Sequence, residues 1–132
     1  MTAIYLAARY SRREEMLGYA EEVEALGLAV TSRWIKGGHQ ISDDDLGTSE
    51  RADELGRRYA YEDLTDLHAA DLCIFFTEQP RTVNSRGGRH VEFGIAWASQ
   101  IECLIVGPKE NVFHCLDGIR QFETWEDARL AL

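Results

Sequence analysis

Three unbroken apolar runs constrain this chain more than any other feature: Ile4-Tyr5-Leu6-Ala7-Ala8, Leu72-Cys73-Ile74-Phe75-Phe76 and Cys103-Leu104-Ile105-Val106. Each is too short for a helix and lacks polar residues at alternate positions. Both faces of each run must therefore be covered, as in a sheet wrapped by helices. The intervening stretches carry the covers. Met16, Tyr19, Ala20, Val23 and Leu26 recur at helical spacing until Gly27, and Leu55, Tyr59, Leu64, Leu67 and Ala70 do so within a helix expected from about Glu50 to Ala70. Leu28 to Ser32 reads as a second strand, making the first 30 or so residues the size of one βαβ unit. The pattern predicts an α/β domain with a mostly parallel sheet.

Local signals place the ends of these elements. Ser11-Arg12-Arg13-Glu14 has the form of a capping box for the first helix, and Thr124 precedes Trp125-Glu126-Asp127 as an N-cap for the last. Residues 36–48, rich in Gly, Asp and Ser, read as a loop, and a short helix is expected over Val91–Ala98. A chain of 132 residues without repeat or linker fits one domain, 1–132.

Charge and cysteines narrow the function classes. A net charge of −9 argues against a nucleic-acid polymer as partner, although a few local arginines suffice for one phosphate. No apolar run reaches membrane-spanning length and no basic n-region opens the chain, so neither membrane nor secretion is expected. Cys73, Cys103 and Cys115 are odd in number and lack CxxC spacing, which predicts reduced thiols and a cytoplasmic location. His39, His68, His90 and His114 show no metal-ligand spacing, so no metal is expected, and they read as packing or surface residues.

The loop and helix start Ser85-Arg86-Gly87-Gly88-Arg89-His90-Val91-Glu92 carries the chemistry. Two glycines allow close approach of backbone amides, and a helix N-terminus offers unpaired donors to an anion. Glu92 is expected in the first helical turn, held ionised by the helix dipole. In an open parallel sheet this loop meets those after the first and second strands, which contribute Ala8 to Arg13 and Arg33 to Gly47. No G-x-G-x-x-G, G-x-x-x-x-G-K-[ST] or G-x-S-x-G is present, which disfavours dinucleotide enzymes, P-loop NTPases and elbow hydrolases.

Three segments together resemble the nucleoside 2-deoxyribosyltransferase superfamily, including its 2′-deoxynucleoside 5′-monophosphate N-glycosidase branch. They are Ile4-Tyr5-Leu6-Ala7-Ala8, Asp63-Leu64-x-x-Leu67-x-x-Ala70-Asp71, and Gly88-x-x-x-Glu92-Phe93-Gly94-x-Ala96. The resemblance implies a Rossmann-like or flavodoxin-like three-layer domain with a mostly parallel five-stranded sheet. It implies cleavage of an N-glycosidic bond without a cofactor, through a covalent glycosyl ester on Glu92. Tyr5 matches the residue that orients that carboxylate, and Asp63 the acid that protonates the departing base. Where the transferases carry an aspartate, six residues before the nucleophile, this chain has Arg86 preceded by Ser85. A cation and a hydroxyl in a glycine loop suit a 5′-phosphate better than a free hydroxyl. Ala8, Arg9, Ser11, Arg12, Ser85, Arg86, Gly87, Gly88 and Arg89 are accordingly the candidate phosphate and sugar contacts, with Trp34 over the base.

Family members are dimers or larger, which implies a homodimer whose neighbouring subunit reaches the site through Asn111, Phe113 and His114. The leading expectation is hydrolysis of a (deoxy)nucleoside 5′-monophosphate to free base and sugar phosphate. Base exchange between deoxynucleosides is the nearest alternative. A non-catalytic nucleotide sensor and a flavodoxin-like electron carrier are the more distant ones.

Overall fold

The computed structural model describes residues 2–42, 44–79 and 87–132. Five strands form one sheet: β1 (Ala3–Ala7), β2 (Ala29–Val30), β3 (Leu72–Phe76), β4 (Glu102–Val106) and β5 (Arg120–Phe122). Their order is β2-β1-β3-β4-β5 and every pairing is parallel. The apolar runs are its three central strands. Register places Tyr5 beside Cys73 and Cys73 beside Cys103. The fifth strand, with its polar Arg120-Gln121, carries no apolar run and is recognised only in three dimensions.

Helices α1 (Arg13–Ala25), α2 (Glu50–His68), α3 (Gly88–Ala98) and α4 (Trp125–Leu130) cover the two faces. Alternation along β3 sorts them. Phe75 meets Phe93 of α3 edge-on at 5.2 Å between ring centres, while Phe76 turns the other way to Tyr19 of α1 and Trp125 of α4. Thus α1 and α4 lie on one face, α2 and α3 on the other.

The helix ends show which local signals operate. Ser49 caps α2 by accepting a hydrogen bond from the Ala52 amide, and Thr124 caps α4 through the Asp127 amide. At the end of α1, Gly27 takes φ +82° while the Leu28 and Gly27 amides bond back to Val23 and Glu24 carbonyls. This is a Schellman closure, which needs the left-handed residue that glycine supplies. The expected capping box at Ser11 does not form. A 3-10 turn occupies Tyr10–Arg12, Ser11 lies inside it, and α1 begins at Arg13 without a side-chain cap.

Among the described residues no helix is long and apolar enough to cross a membrane.

Candidate functional site

The order β2-β1-β3-β4-β5 reverses direction between β1 and β3, and ligands of such sheets sit beyond the strand C-termini at that point. A cleft of about 600 Å³ lies there. Ala8, Arg9 and Ser11 approach it from the turn after β1, and Gly87, Gly88 and Glu92 from the start of α3. Asp63 comes from α2, and Trp34 and His39 from the segment after β2.

Helix α3 begins three residues before its expected start, because Gly87 adopts φ +86° and the chain winds into helix at once. Glu92 is therefore in the second turn, not the first. Its side chain runs inward, with Oε2 shut off from solvent although the residue as a whole is only half-buried. Burial pushes its carboxyl up to about 8; the Tyr5 hydroxyl pulls the other way and the charge of Asp63 adds to the rise. This rise runs against the expected effect of the helix dipole. Desolvation of a sealed oxygen outweighs a dipole whose effect fades beyond the first turn.

Tyr5 is fully buried in β1 beneath the cleft. Its hydroxyl is held well above the ordinary phenol range by burial, then by Glu92 and Asp63. Asp63 is also raised by burial, partly offset by His39. Tyr5 Oη, Asp63 Oδ1 and Glu92 Oε2 are all buried without a well-aligned hydrogen-bond partner. Buried polar atoms left open in this way are uncommon, and here three of them belong to one electrostatically coupled set. Tyr5 and Glu92 are close enough for the phenol to act on the carboxyl, yet their bond is not well aligned. The set has hydrogen-bonding capacity to spare for a ligand.

His39 shows no signal in the sequence, where it is one histidine in a polar loop. In the structure its ring is almost fully buried against α2, with Nε2 2.9 Å from Asp63 Oδ1 and Nδ1 3.3 Å from Glu62 Oε2. Tyr59 lies 4.5 Å away, ring centre to ring centre, and its carbonyl oxygen is 3.3 Å from Nε2. Aromatic periodicity on α2 suggests Tyr59 as core, whereas its position beside Gly56 and Ala60 makes it cleft wall. Trp34 is buried, its indole N–H donating to the Leu6 carbonyl at 2.8 Å, which fixes the ring at the cleft edge. Tyr10 adds a second aromatic ring, 6.1 Å from it.

The arginines separate. Arg9 lines the cleft. Arg89 lines it too, but its guanidinium is buried and held by both carboxylate oxygens of Glu110, at 2.8 and 2.9 Å. Arg12 lies outside the cleft wall, contrary to expectation. The 3-10 turn points it across α1, where Glu15 holds it from two sides at 2.9 and 2.7 Å and the Phe76 ring lies beneath. Asn111, expected at the neighbouring subunit's site, caps the turn 112–115 of its own chain through the Phe113 amide and approaches His90 at 3.4 Å. Ser85 and Arg86 lie outside the described residues. Among the described residues no cluster of side chains fits a metal ion.

No protein-family model and no curated protein matches this sequence. Solved structures do. A 2-deoxyribosyltransferase from Bacillus psychrosaccharolyticus aligns with a TM-score of 0.71 at 18% identity, over 97% of this chain and 90% of its own. A conserved protein from Enterococcus faecalis V583 gives 0.67 at 16% identity, over 98% and 96%. At such identities the likeness establishes the fold: an α/β sandwich of the deoxyribosyltransferase type.

Proposed function

We propose that this chain is an N-glycosidase that releases the base from a (deoxy)nucleoside 5′-monophosphate. The observation that carries this reading is that Asp63 and Glu92 line one cleft, with the buried Tyr5 hydroxyl acting on Glu92 from beneath it. One carboxylate attacks C1′ and a second acidic group assists the leaving base, the division of labour of a retaining glycosidase. Glu92 is the nucleophile. Its proton leaves first, and the positive charge that develops on the sugar then favours the carboxylate. Tyr5 orients that carboxylate from below, and Asp63 supplies the proton to the base.

Two features support a phosphate on the sugar. Gly87, as the residue before α3, brings no side-chain oxygen to the first amides of the helix, and both glycines line the cleft. Arg9, a cation suited to a phosphate, lines the same wall. Trp34 and Tyr10 are the rings for a base, an interaction worth about 1–3 kcal/mol in other base-binding sites. The homodimer expected from the family resemblance has some support in Val112 and Phe113, both exposed beside Asn111. Light scattering that returns the mass of a monomer removes the neighbouring subunit from the site.

The fold likeness to a 2-deoxyribosyltransferase favours one further reading, in which a second base rather than water takes the sugar from Glu92. Both share the same first step. Incubation with a panel of ribo- and deoxyribonucleosides and their 5′-monophosphates, with chromatographic detection of free base, separates them. Hydrolysis predicts base release that Glu92→Ala reduces by about a thousandfold or more. Base exchange without net release selects the transferase. Tight nucleotide binding with no turnover of any kind selects a sensor.

A further inference from the structure

His39 has no part in the resemblance to the transferase superfamily, yet its Nε2 lies 2.9 Å from Asp63 Oδ1. Its own environment is unusual. Nδ1 faces Glu62 Oε2, and Nε2 faces Asp63 Oδ1 and the Tyr59 carbonyl. Both ring nitrogens therefore face acceptors, and a neutral imidazole has only one N–H to offer them. The ring and the two carboxyl groups must together hold a second proton or leave one contact repulsive. Nε2 is thus shared between the Tyr59 carbonyl oxygen at 3.3 Å and Asp63 Oδ1 at 2.9 Å.

We infer that His39 is a positioning residue for the departing base: with Glu62 behind it, it stores a proton and holds Asp63 in place to deliver it. This rests on the N-glycosidase reading and extends it by one residue. As the C1′–N bond breaks, its electron pair goes to the base, a Glu92 oxygen bonds to C1′, and the base takes a proton from the Asp63–His39 pair. Water then displaces Glu92 from C1′. Its hydroxyl stays on the sugar, its proton returns to the pair, and Glu92 is a carboxylate again. No other reactant is needed. Among the described residues, the charged and titratable groups facing the ring are Tyr59, Glu62 and Asp63, all from α2, with Arg58 pairing Glu62 at 3.2 Å. Glu92 and Tyr5 lie beyond Asp63 in the coupled set.

The test compares His39→Gln with the unaltered chain on two substrates that differ only in their need for a proton. The first is whichever monophosphate releases its base fastest. The second carries the same base activated for departure, by N7-methylation for a purine or 5-fluorination for a pyrimidine. The expected result is a loss in kcat of about 10- to 100-fold on the first and a clearly smaller loss on the second. Equal losses on both make His39 structural, and no loss on either makes it a bystander; each overturns the inference. The second variant, Glu62→Gln, is isosteric at a partly exposed side chain. It is expected to move the basic limb of the kcat profile to lower pH and leave the acidic limb in place, and an unmoved basic limb overturns the inference too. If the unaltered chain releases no base from either substrate, it is the N-glycosidase reading that falls.

Discussion

At the scale of single residues, the raised Glu92 carboxyl lowers the stability of the fold, and that cost is measurable. Below pH 4.5 the Glu92 carboxyl is protonated in the folded and unfolded chain alike, so it costs nothing. Between 4.5 and about 8 the unfolded chain releases the proton while the folded one keeps it. Stability therefore falls as pH rises through that window and levels above it. Glu92→Gln removes the ionisable group and is expected to stabilise the fold by about 3 kcal/mol at pH 7 and by almost nothing at pH 4. Urea denaturation at the two pH values checks this; a variant no more stable at pH 7 than the parent refutes it. In the proposed mechanism the same proton governs turnover. Below about 8, kcat/KM for base release is expected to rise tenfold per pH unit, because the free protein must lose the Glu92 proton before attack. Tyr5→Phe deletes the hydroxyl that pulls Glu92 down, so its acidic limb is expected at higher pH. Its effect on stability stays within about 1 kcal/mol, since the lost hydroxyl had no aligned partner.

At the scale of elements, the end of β4 shows how tightly the scaffold behind the cleft is closed. Gly107 has φ +116°, and a Cβ there meets Thr77 Oγ1 at 2.5 Å and the Thr77 carbonyl oxygen at 3.3 Å. Thr77 continues β3 by bonding its amide to Val106 O and its hydroxyl to Pro108 O at 2.6 Å, so it has little freedom to retreat. Gly107→Ala is expected to cost about 1–3 kcal/mol, read as a lowered urea midpoint. What was legible in the sequence follows the same physics. Strands β1, β3 and β4 were plain, because burial on both faces demands unbroken apolar residues. Helix α2 was plain because its apolar residues recur at helical spacing from Leu55 to Ala70. The start of α3 was missed by three residues because backbone geometry at Gly87, not a side chain, decides it. β5 and the off-cleft placement of Arg12 were not legible: the first is an edge strand defined by its neighbour, the second is set by competition among carboxylates. His39 was missed for the same reason, since only the packing of its loop onto α2 makes it part of the site.

At the scale of the molecule, the two faces of the sheet do different work. The α2/α3 face carries the buried acids and open hydrogen-bonding groups of the cleft, each a cost to folding. The opposite face is a dense aromatic stack, in which Tyr19 lies 5.4 Å from Phe76 and 4.7 Å from Trp125, ring centre to ring centre. Trp125 is buried, and its indole N–H donates to Glu22 of α1, which also pairs with Arg129 of α4. The short α4, only six residues long, is thereby tied to the first helix of the chain. Isolated, a helix of that length has no stability of its own. Truncating Trp125 to alanine removes a ring from a close-packed cluster and is expected to cost about 3–5 kcal/mol. Because the stack bears on Phe76 in the central strand, the loss should lower one cooperative transition for the whole sheet. Circular dichroism and tryptophan emission, which Trp34 and Trp97 still report, are expected to melt together. An early loss of α4 with the sheet intact at the parental temperature means that the aromatic face does not support the cleft. Below the melting point, the same variant is expected to retain the nucleotide affinity of the parent, since none of the stacked rings lines the cleft.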